Sequence, residues 1–101
     1  MIRRILNYLE TNYSNDISLK TLAIELNTNA NYLGQLFKEE TGEYFSDYLN
    51  MIRINKAKEL LRNTDKNTKD ISNDVGYKDV NYFYRTFKKF IGVPPSEYRS
   101  I

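Results

Sequence analysis

The hydrophobic residues of this chain recur at intervals of three and four positions, and polar turn residues divide them into separate segments. The pattern is clearest between residues 80 and 91, a segment without acidic residues. Its phenylalanines share one side of a helix with about 3.6 residues per turn: Phe83, Phe87 and Phe90. Asp79 is a suitable N-cap, and Gly92 is a suitable C-terminal stop. The pattern therefore predicts a helix with one aromatic face and one basic face.

The same signals predict six further helices, so the expected fold class is all-α. The predicted ranges are 2–12, 19–26, 30–41, 44–62, 69–75, 80–91 and 95–99. Side-chain N-caps are expected at helices 2, 3 and 5, from Ser18, Asn29 and Thr68. Three residues separate helices 2 and 3, a spacing that is typical of a helix-turn-helix motif but also of other helical hairpins.

The second half of the chain repeats the first. Residues 31–48 and 81–98 share seven identities without a gap. The first-copy residues that recur fifty positions later are Asn31, Tyr32, Phe37, Lys38, Gly42, Ser46 and Tyr48. Ala23 and Ser72 also correspond, at a position where a small residue lets two helices approach closely. Two copies indicate two similar structural units.

The predicted helix 44–62 joins the two copies and would be about 27 Å long at about 1.5 Å per residue. Its apolar residues form two stripes about a third of a turn apart. The first stripe consists of Phe45, Tyr48, Leu49 and Ile52, and the second of Ile54, Ala57 and Leu61. A helix that contributes to two separate cores has this pattern.

The chain contains no Cys and no His, which excludes disulfides, zinc fingers and thiolate or imidazole nucleophiles. It also lacks a phosphate-binding glycine motif and an apolar run long enough to cross a membrane. We therefore expect no enzymatic activity, no catalytic residue, no metal, no cofactor and no membrane association. A reducing cytoplasm suits a chain without cysteine.

The charge of the chain is distributed unevenly. Although the net charge is only +2, residues 1–50 carry four Lys and Arg against seven Asp and Glu, a balance of −3. Residues 51–101 carry eleven against six, a balance of +5. A polyanion would therefore bind mainly to the second half.

Three groups of residues together resemble the AraC/XylS family of transcription factors. Residues 32–42 look like its first helix-turn-helix, and residues 48–61 are similar to its linker helix. The second helix-turn-helix and tail are matched by Ile71, Gly76, Tyr77, Tyr82, Phe83, Arg85, Phe87, Lys88, Lys89, Gly92, Pro94, Tyr98 and Arg99. The resemblance implies a double-stranded DNA-binding domain of seven helices, with helices 3 and 6 in successive major grooves.

The resemblance also implies a division of the chain and a set of contact residues. The expected parts are a first helix-turn-helix subdomain (1–43), a linker helix (44–62) and a second helix-turn-helix subdomain (63–101). The candidates for base contacts are Ala30, Asn31, Gly34, Gln35, Val80, Asn81, Tyr84 and Arg85. The candidates for phosphate contacts are Lys38, Lys88 and Lys89. Helix 6 is expected to provide more of the affinity, because Glu39 and Glu40 add negative charge to helix 3.

Each candidate has a structural alternative. Arg85 can be a solvated surface residue, and Asn31 and Asn81 can hydrogen-bond nearby backbone groups. The repeated tyrosines are expected to belong to the core rather than to stack on bases: Tyr32, Tyr48, Tyr82 and Tyr98. Arg53 is expected to form a structural ion pair. Gly34 occupies a position where the family usually presents a side chain to a base, so it either loses that contact or permits a close backbone approach.

The expected function is sequence-specific DNA binding and regulation of transcription in a bacterial-type regulator. The alternative is a helical protein-interaction module that contacts RNA polymerase or a partner regulator. No segment remains for a sensor, so we expect a missing N-terminal sensor or receiver domain and a natural start upstream of Met1. A monomer is expected, because the duplicated unit already supplies two reading helices.

Overall fold

A computed structural model of the protein describes residues 1–101 and consists of seven helices without strands. The helices are α1 (Ile2–Asn12), α2 (Leu19–Glu25), α3 (Ala30–Thr41), α4 (Phe45–Asn63), α5 (Thr68–Asp74), α6 (Val80–Ile91) and α7 (Pro95–Ser100). The all-α prediction is therefore confirmed. The predicted linker helix is displaced by one residue at each end, as is common for helix termini.

The chain divides into two compact units, Met1–Leu49 (unit 1) and Asn50–Ile101 (unit 2), and the division falls inside α4. The three predicted parts of the chain remain a prediction, because the two units meet inside α4 and not at its ends. Unit 1 packs α3 against α1 and α2. Its most deeply buried side chains are Leu9, Leu33 and Phe37. The Phe37 ring meets the rings of Phe45 and Tyr48 edge-on, with both centroid distances at 5.4 Å.

Unit 2 is built in the same way from α5, α6 and α7 together with most of α4. Its largest fully buried side chains are Ile54, Leu61, Ile71, Ser72, Val75, Phe83, Phe87 and Pro95. Phe87 packs edge-on against Tyr98 of α7, with a centroid distance of 5.6 Å. The aromatic face predicted for α6 is therefore a core face, although Phe90 at its end is only half-buried.

The helix caps follow the sequence with one exception. Ser18 forms a capping box with Thr21, and the side chain of Asn29 accepts a hydrogen bond from the Tyr32 amide at 2.8 Å. The prediction that Thr68 caps α5 is wrong, because Asn67 is the N-cap and accepts from the Asp70 amide at 2.8 Å. Both residue types are good N-caps, so the pattern does not distinguish between adjacent candidates.

Glycines end the two helices that are related by the repeat. Gly42 after α3 and Gly92 after α6 have φ values of 80° and 98°, in the left-handed region. A residue with a Cβ would be strained in this conformation, so glycine ends each helix at a defined position.

Two of the four repeated tyrosines do not have the environment that was predicted for them. Tyr48 and Tyr98 are half-buried and pack on core phenylalanines, as expected. Tyr32 is 51% exposed, so its predicted core role is wrong. Tyr82 is 39% exposed, and its ring meets the Tyr77 ring at an interplanar angle of 70°. The repeat preserves residue identity here but not environment.

Candidate nucleic-acid interface

Helix α3 presents a short polar stripe on the side opposite its buried residues. Leu33 and Phe37 hold the inner face and are completely buried. Asn31 and Gln35 are exposed at i and i+4 on the outer face. Neither side chain hydrogen-bonds within the chain, so their amide groups are available to an external partner. The alternative that Asn31 satisfies local backbone groups is therefore not what the structure shows.

Helix α6 presents the corresponding stripe with more positive charge. Asn81, Arg85 and Lys88 are exposed at i, i+4 and i+7, and Lys89 lies beside them. Asp79 fixes the start of the helix by accepting from the Asn81 amide at 2.9 Å. No side chain of the stripe forms a hydrogen bond or ion pair within the chain. The stripe therefore offers one amide, one guanidinium and two ammonium groups to solvent.

The two stripes differ in charge at equivalent positions. Where α6 has Arg85, α3 has the neutral Gln35, and where α6 has Lys89, α3 has Glu39. The α6 stripe therefore carries three positive charges, whereas Lys38 and Glu39 cancel on α3. Ala30 and Val80, the first residues of the two helices, are half-buried and offer only apolar contact.

Gly34 lies at the edge of the α3 stripe, beside α2. It is half-buried, and a Cβ built at this position would approach Cδ1 of Leu19 in α2 to 3.3 Å. The glycine therefore permits close packing of α2 against α3. The base contact predicted at Gly34 stays a prediction. The packing against α2 could not be predicted, because a helical repeat identifies the buried face but not which neighbouring helix covers its edge.

Tyr84, the counterpart of Gly34 in the repeat, extends from α6 to the first residue of α5. Its hydroxyl lies 3.0 Å from Oγ1 of Thr68, the first residue of α5. Its ring packs at a tilt on Phe83, with a centroid distance of 6.0 Å. The side chain was predicted to contact bases, and the structure shows that its hydroxyl already has a partner within the chain.

The predicted phosphate-binding lysines have different environments. Lys38 donates to the Gly42 carbonyl at 2.8 Å and lies 4.5 Å from the centroid of the Tyr44 ring. It thus neutralises the carbonyl end of its own helix, a favourable place for a cation. Lys88 and Lys89 are exposed and have no partner within the chain. An ammonium group has three donor protons, so Lys38 can retain its contact while it meets a phosphate.

A hydrogen-bonded group that the sequence did not predict lies beside α6. The Tyr77 hydroxyl donates to Oδ1 of Asn50 at 2.7 Å, and Nδ2 of Asn50 donates to the Tyr82 hydroxyl at 3.2 Å. The Arg53 guanidinium lies 5.4 Å from the centroid of the Tyr77 ring. Burial raises the pKa of the Tyr77 hydroxyl, and the positive charge of Arg53 opposes part of this rise.

This ring contact gives Arg53 a structural neighbour, and the ion pair predicted for it stays a prediction. No sequence signal identifies the group as a whole, because Asn50 and Tyr77 are separated by 27 positions and have no motif in common.

No group of three or more potential metal ligands is present among the described residues. None of the seven helices has both the length and the apolar character needed to cross a membrane.

Comparison with known proteins places this arrangement in a family. Residues 22–101 match the model of a family described as a helix-turn-helix domain. The chain is 30% identical over 100 residues to the melibiose operon regulatory protein of Escherichia coli, covering 99% of this chain and 33% of that protein. The chain spans between 12% and 35% of the length of curated relatives of this kind, which are transcriptional regulators.

Solved structures agree with the sequence comparison. The C-terminal domain of the two-component response regulator yesN from Fusobacterium nucleatum is 38% identical, with a TM-score of 0.92, covering 96% of this chain and 95% of that one. The DNA-binding domain of AdpA, solved in complex with a target DNA, has a TM-score of 0.91 at 18% identity, covering 98% and 89% of the two chains. At that identity the second likeness concerns the fold alone.

Proposed function

Because this chain belongs to the helix-turn-helix family of AraC-type transcription regulators, a DNA-binding family, we propose that α3 and α6 are its reader helices and contact base pairs in the major groove. The observation that supports this is the exposed stripe on each of them. Each stripe presents side chains that recognise base edges, and each is fixed from behind by buried phenylalanine.

The stripes divide into groups suited to bases and groups suited to phosphates. Asn31, Gln35 and Asn81 can each bind adenine through two hydrogen bonds, and Arg85 can bind N7 and O6 of guanine in the same way. Lys88 and Lys89 follow on α6 and match the negative charge of the backbone. The proposed base contacts are therefore made near the start of each reader helix, with phosphate contacts towards its end.

We propose that α6 supplies more of the affinity than α3. Its stripe carries three positive charges that have no partner within the chain, whereas Lys38 and Glu39 of α3 offset each other. The Arg85→Ala variant should bind the preferred duplex with about 1–3 kcal/mol less free energy and lose preference at one base pair. Gln35→Ala should weaken binding less, and the reverse order of the two effects would contradict the proposal.

Selection of bound sequences from a random duplex pool tests the proposed readers directly. Wild type and Arg85→Ala are compared at near-physiological salt. Two short enriched blocks, with loss of preference in only one of them in the variant, are expected. The distance between the blocks tests the prediction that the two helices occupy successive major grooves. Recovery of no motif, with weak binding that disappears as salt rises, would contradict sequence-specific recognition.

We propose from the relatives that the whole protein is cytoplasmic and carries a further sensor or receiver domain. The chain matches about a third or less of several curated regulators, and one similar structure is the C-terminal domain of a response regulator. We also propose that this domain has no catalytic activity of its own.

Contact with RNA polymerase is a second proposal, and exposed apolar side chains outside the stripes favour it. Ile24 on α2 is 67% exposed and Tyr44 is 63% exposed. Ile24→Ser should leave DNA affinity unchanged but lower activated transcription in a reconstituted assay. Equal activity of wild type and variant would argue against the use of this surface.

A further inference from the structure

We propose that Tyr82 and Tyr84 are positioning residues that fix the rotation of α6 about its own axis, so that Asn81 and Arg85 face the DNA. This inference rests on the proposed function of α6. It assigns to the two tyrosines a role that depends on their hydroxyl groups within the chain rather than on contact with bases.

The placement of the residues on α6 carries the first part of the argument. At about 100° per residue, Asn81 and Arg85 lie almost above one another, while Tyr82 and Tyr84 lie about 80° to either side of their midline. Each tyrosine reaches away from the stripe to a different helix. The Tyr82 hydroxyl accepts from Asn50 of α4, and the Tyr84 hydroxyl pairs with Thr68 of α5.

Packing limits the rotation of α6, and we infer that hydrogen bonds on its flanks define it more closely. The inner face of α6 consists of Phe83, Thr86 and Phe87, and the two phenylalanine rings meet neighbouring rings at centroid distances of 5.4–6.0 Å. Aromatic contacts of this kind tolerate small rotations because several tilted geometries are similarly favourable. A hydrogen bond on each flank opposes rotation in either direction, since turning the helix one way lengthens the bond on the opposite side.

On the side of α6 that faces α4, the partner of Tyr82 is itself held by a hydrogen bond. Asn50 is held by the buried Tyr77 hydroxyl, which donates to its Oδ1 atom and so orients its amide group towards Tyr82. Tyr77 follows α5 and packs against the rings of Tyr82 and Phe83. The anchor of Tyr82 is therefore a half-buried asparagine that the buried Tyr77 holds in place through a hydrogen bond.

Helix α3 lacks both of these flanking hydrogen bonds at the equivalent positions. Tyr32, the counterpart of Tyr82, is exposed, and its hydroxyl has no partner within the chain. Gly34, the counterpart of Tyr84, has no side chain to reach α2. The rotation of α6 is therefore set before DNA binds, whereas that of α3 is not fixed by these contacts. We infer that discrimination between base pairs is stricter in the block that α6 reads.

The test compares discrimination in Tyr82→Phe and Tyr84→Phe, each of which removes only a hydroxyl group. The measured quantity is the ratio of affinities for the selected duplex and for a duplex changed at the base pair that Arg85 reads. Each variant should lower this ratio by about threefold to tenfold, the effect of one hydrogen bond. The ratio at the α3 block and the salt dependence should remain those of wild type. Tyr32→Phe is the matched control, and its ratios should not change.

Variants of the partner residues separate positioning from direct contact. Thr68→Val keeps the Tyr84 hydroxyl but removes its partner. Asn50→Ala removes the partner of Tyr82 and also that of Tyr77. Both should reproduce the loss of discrimination, with thermal melting recorded to show that the domain remains folded. A loss in Tyr84→Phe without one in Thr68→Val would mean that Tyr84 contacts DNA, and would overturn its positioning role.

Two further outcomes would contradict the inference as a whole. Phenylalanine variants that discriminate like wild type would show that the hydroxyls do not position the helix. An equal loss of affinity for every duplex, together with a lower melting temperature, would show a role in stability only. Failure of wild type to prefer any sequence would instead contradict the proposed function, so the two failures are distinguishable.

Discussion

Ser72 is completely buried in unit 2, and its hydroxyl has no hydrogen-bond partner. The corresponding residue of unit 1 is Ala23, which is also buried and satisfies the same need for a small side chain without a polar group. A buried hydroxyl without a partner costs about 1–3 kcal/mol of stability. The two copies of the repeat thus contain the same buried site once with an unpaired hydroxyl, at Ser72, and once without it, at Ala23.

Ser72→Ala should therefore raise the free energy of unfolding by about 1 kcal/mol, because the unpaired hydroxyl is removed and the volume hardly changes. Chemical denaturation of wild type and variant measures the difference. The reciprocal control, Ala23→Ser, should lower stability by a similar amount. A Ser72→Ala variant less stable than wild type would show that the hydroxyl has a favourable contact.

The Tyr77 hydroxyl links stability to pH. Burial raises its pKa in the folded state, while a tyrosine in the unfolded chain has a pKa of about 10. Its contribution is therefore fully present below about pH 10 and is lost as the pH rises from there towards the folded pKa, because the unfolded chain releases the proton first.

Stability measured by urea denaturation should thus decline as the pH rises above about 10. In Tyr77→Phe the decline should be shallower, although the variant is less stable at neutral pH through loss of the bond to Asn50. The slopes rather than the absolute values are compared. Equal slopes would mean that Tyr77 does not titrate differently in the two states.

At the scale of the helices, the C-terminal end of α4 is closed by a side chain from α7. Arg99 donates from Nε to the Leu61 carbonyl at 3.1 Å and from Nη2 to the Thr64 carbonyl at 3.3 Å. The last carbonyl groups of a helix have no partner within it, and a cation placed there also opposes the negative end of the helix dipole. Arg99 thereby attaches the short α7 to the end of α4.

Replacement of Arg99 by Ala should lower the free energy of unfolding by about 1.5–3 kcal/mol, the range for hydrogen bonds to charged groups. Amide hydrogen exchange should become faster in α7 and at the end of α4. Arg99→Lys should recover only part of the loss, because an ammonium group lacks the fork of the guanidinium. Full recovery with Lys would show that charge alone is sufficient.

The helices were more predictable than the surroundings of the side chains on them. Caps and glycine stops are local signals, so the ends of α3 and α6 could be located from sequence, and the start of α5 was missed by one residue because Asn67 and Thr68 both suit an N-cap. The environments of Gly34, Tyr32 and Tyr84 depend on neighbouring helices that the repeat pattern does not specify. The outer positions Asn31, Gln35, Asn81 and Arg85 were identified from the family resemblance, and they avoid the apolar face. Their contacts with DNA remain a prediction.

At the scale of the whole molecule, the unequal charges of the two halves predict how salt affects binding. Glu39 on α3 is the counterpart of Lys89 on α6, and both are exposed. Glu39→Lys should tighten binding to all duplexes and steepen the salt dependence by about 0.9 in the log–log slope if the new lysine meets one phosphate. Fluorescence anisotropy across a salt series measures both quantities.

The same charge change on α1 provides the control, because Glu10 is exposed but does not lie on a proposed reader helix. Glu10→Lys should have a smaller effect on affinity. Equal effects of the two variants would indicate a response to net charge and not to the α3 stripe. Lys89→Glu should have the opposite effect to Glu39→Lys.

The position of the unit division has a consequence for cooperativity of folding. Of the 19 residues of α4, only Phe45–Leu49 belong to unit 1, little more than one turn. A helix of one or two turns is unstable alone in water, so this turn depends on the part of α4 that continues into unit 2. If unit 2 unfolds, the turn carrying Phe45 and Leu49 is expected to fray and to open the unit 1 core. A shared helix can thus join two small cores into one folding transition, and a protein cut at the division would lose that cooperativity.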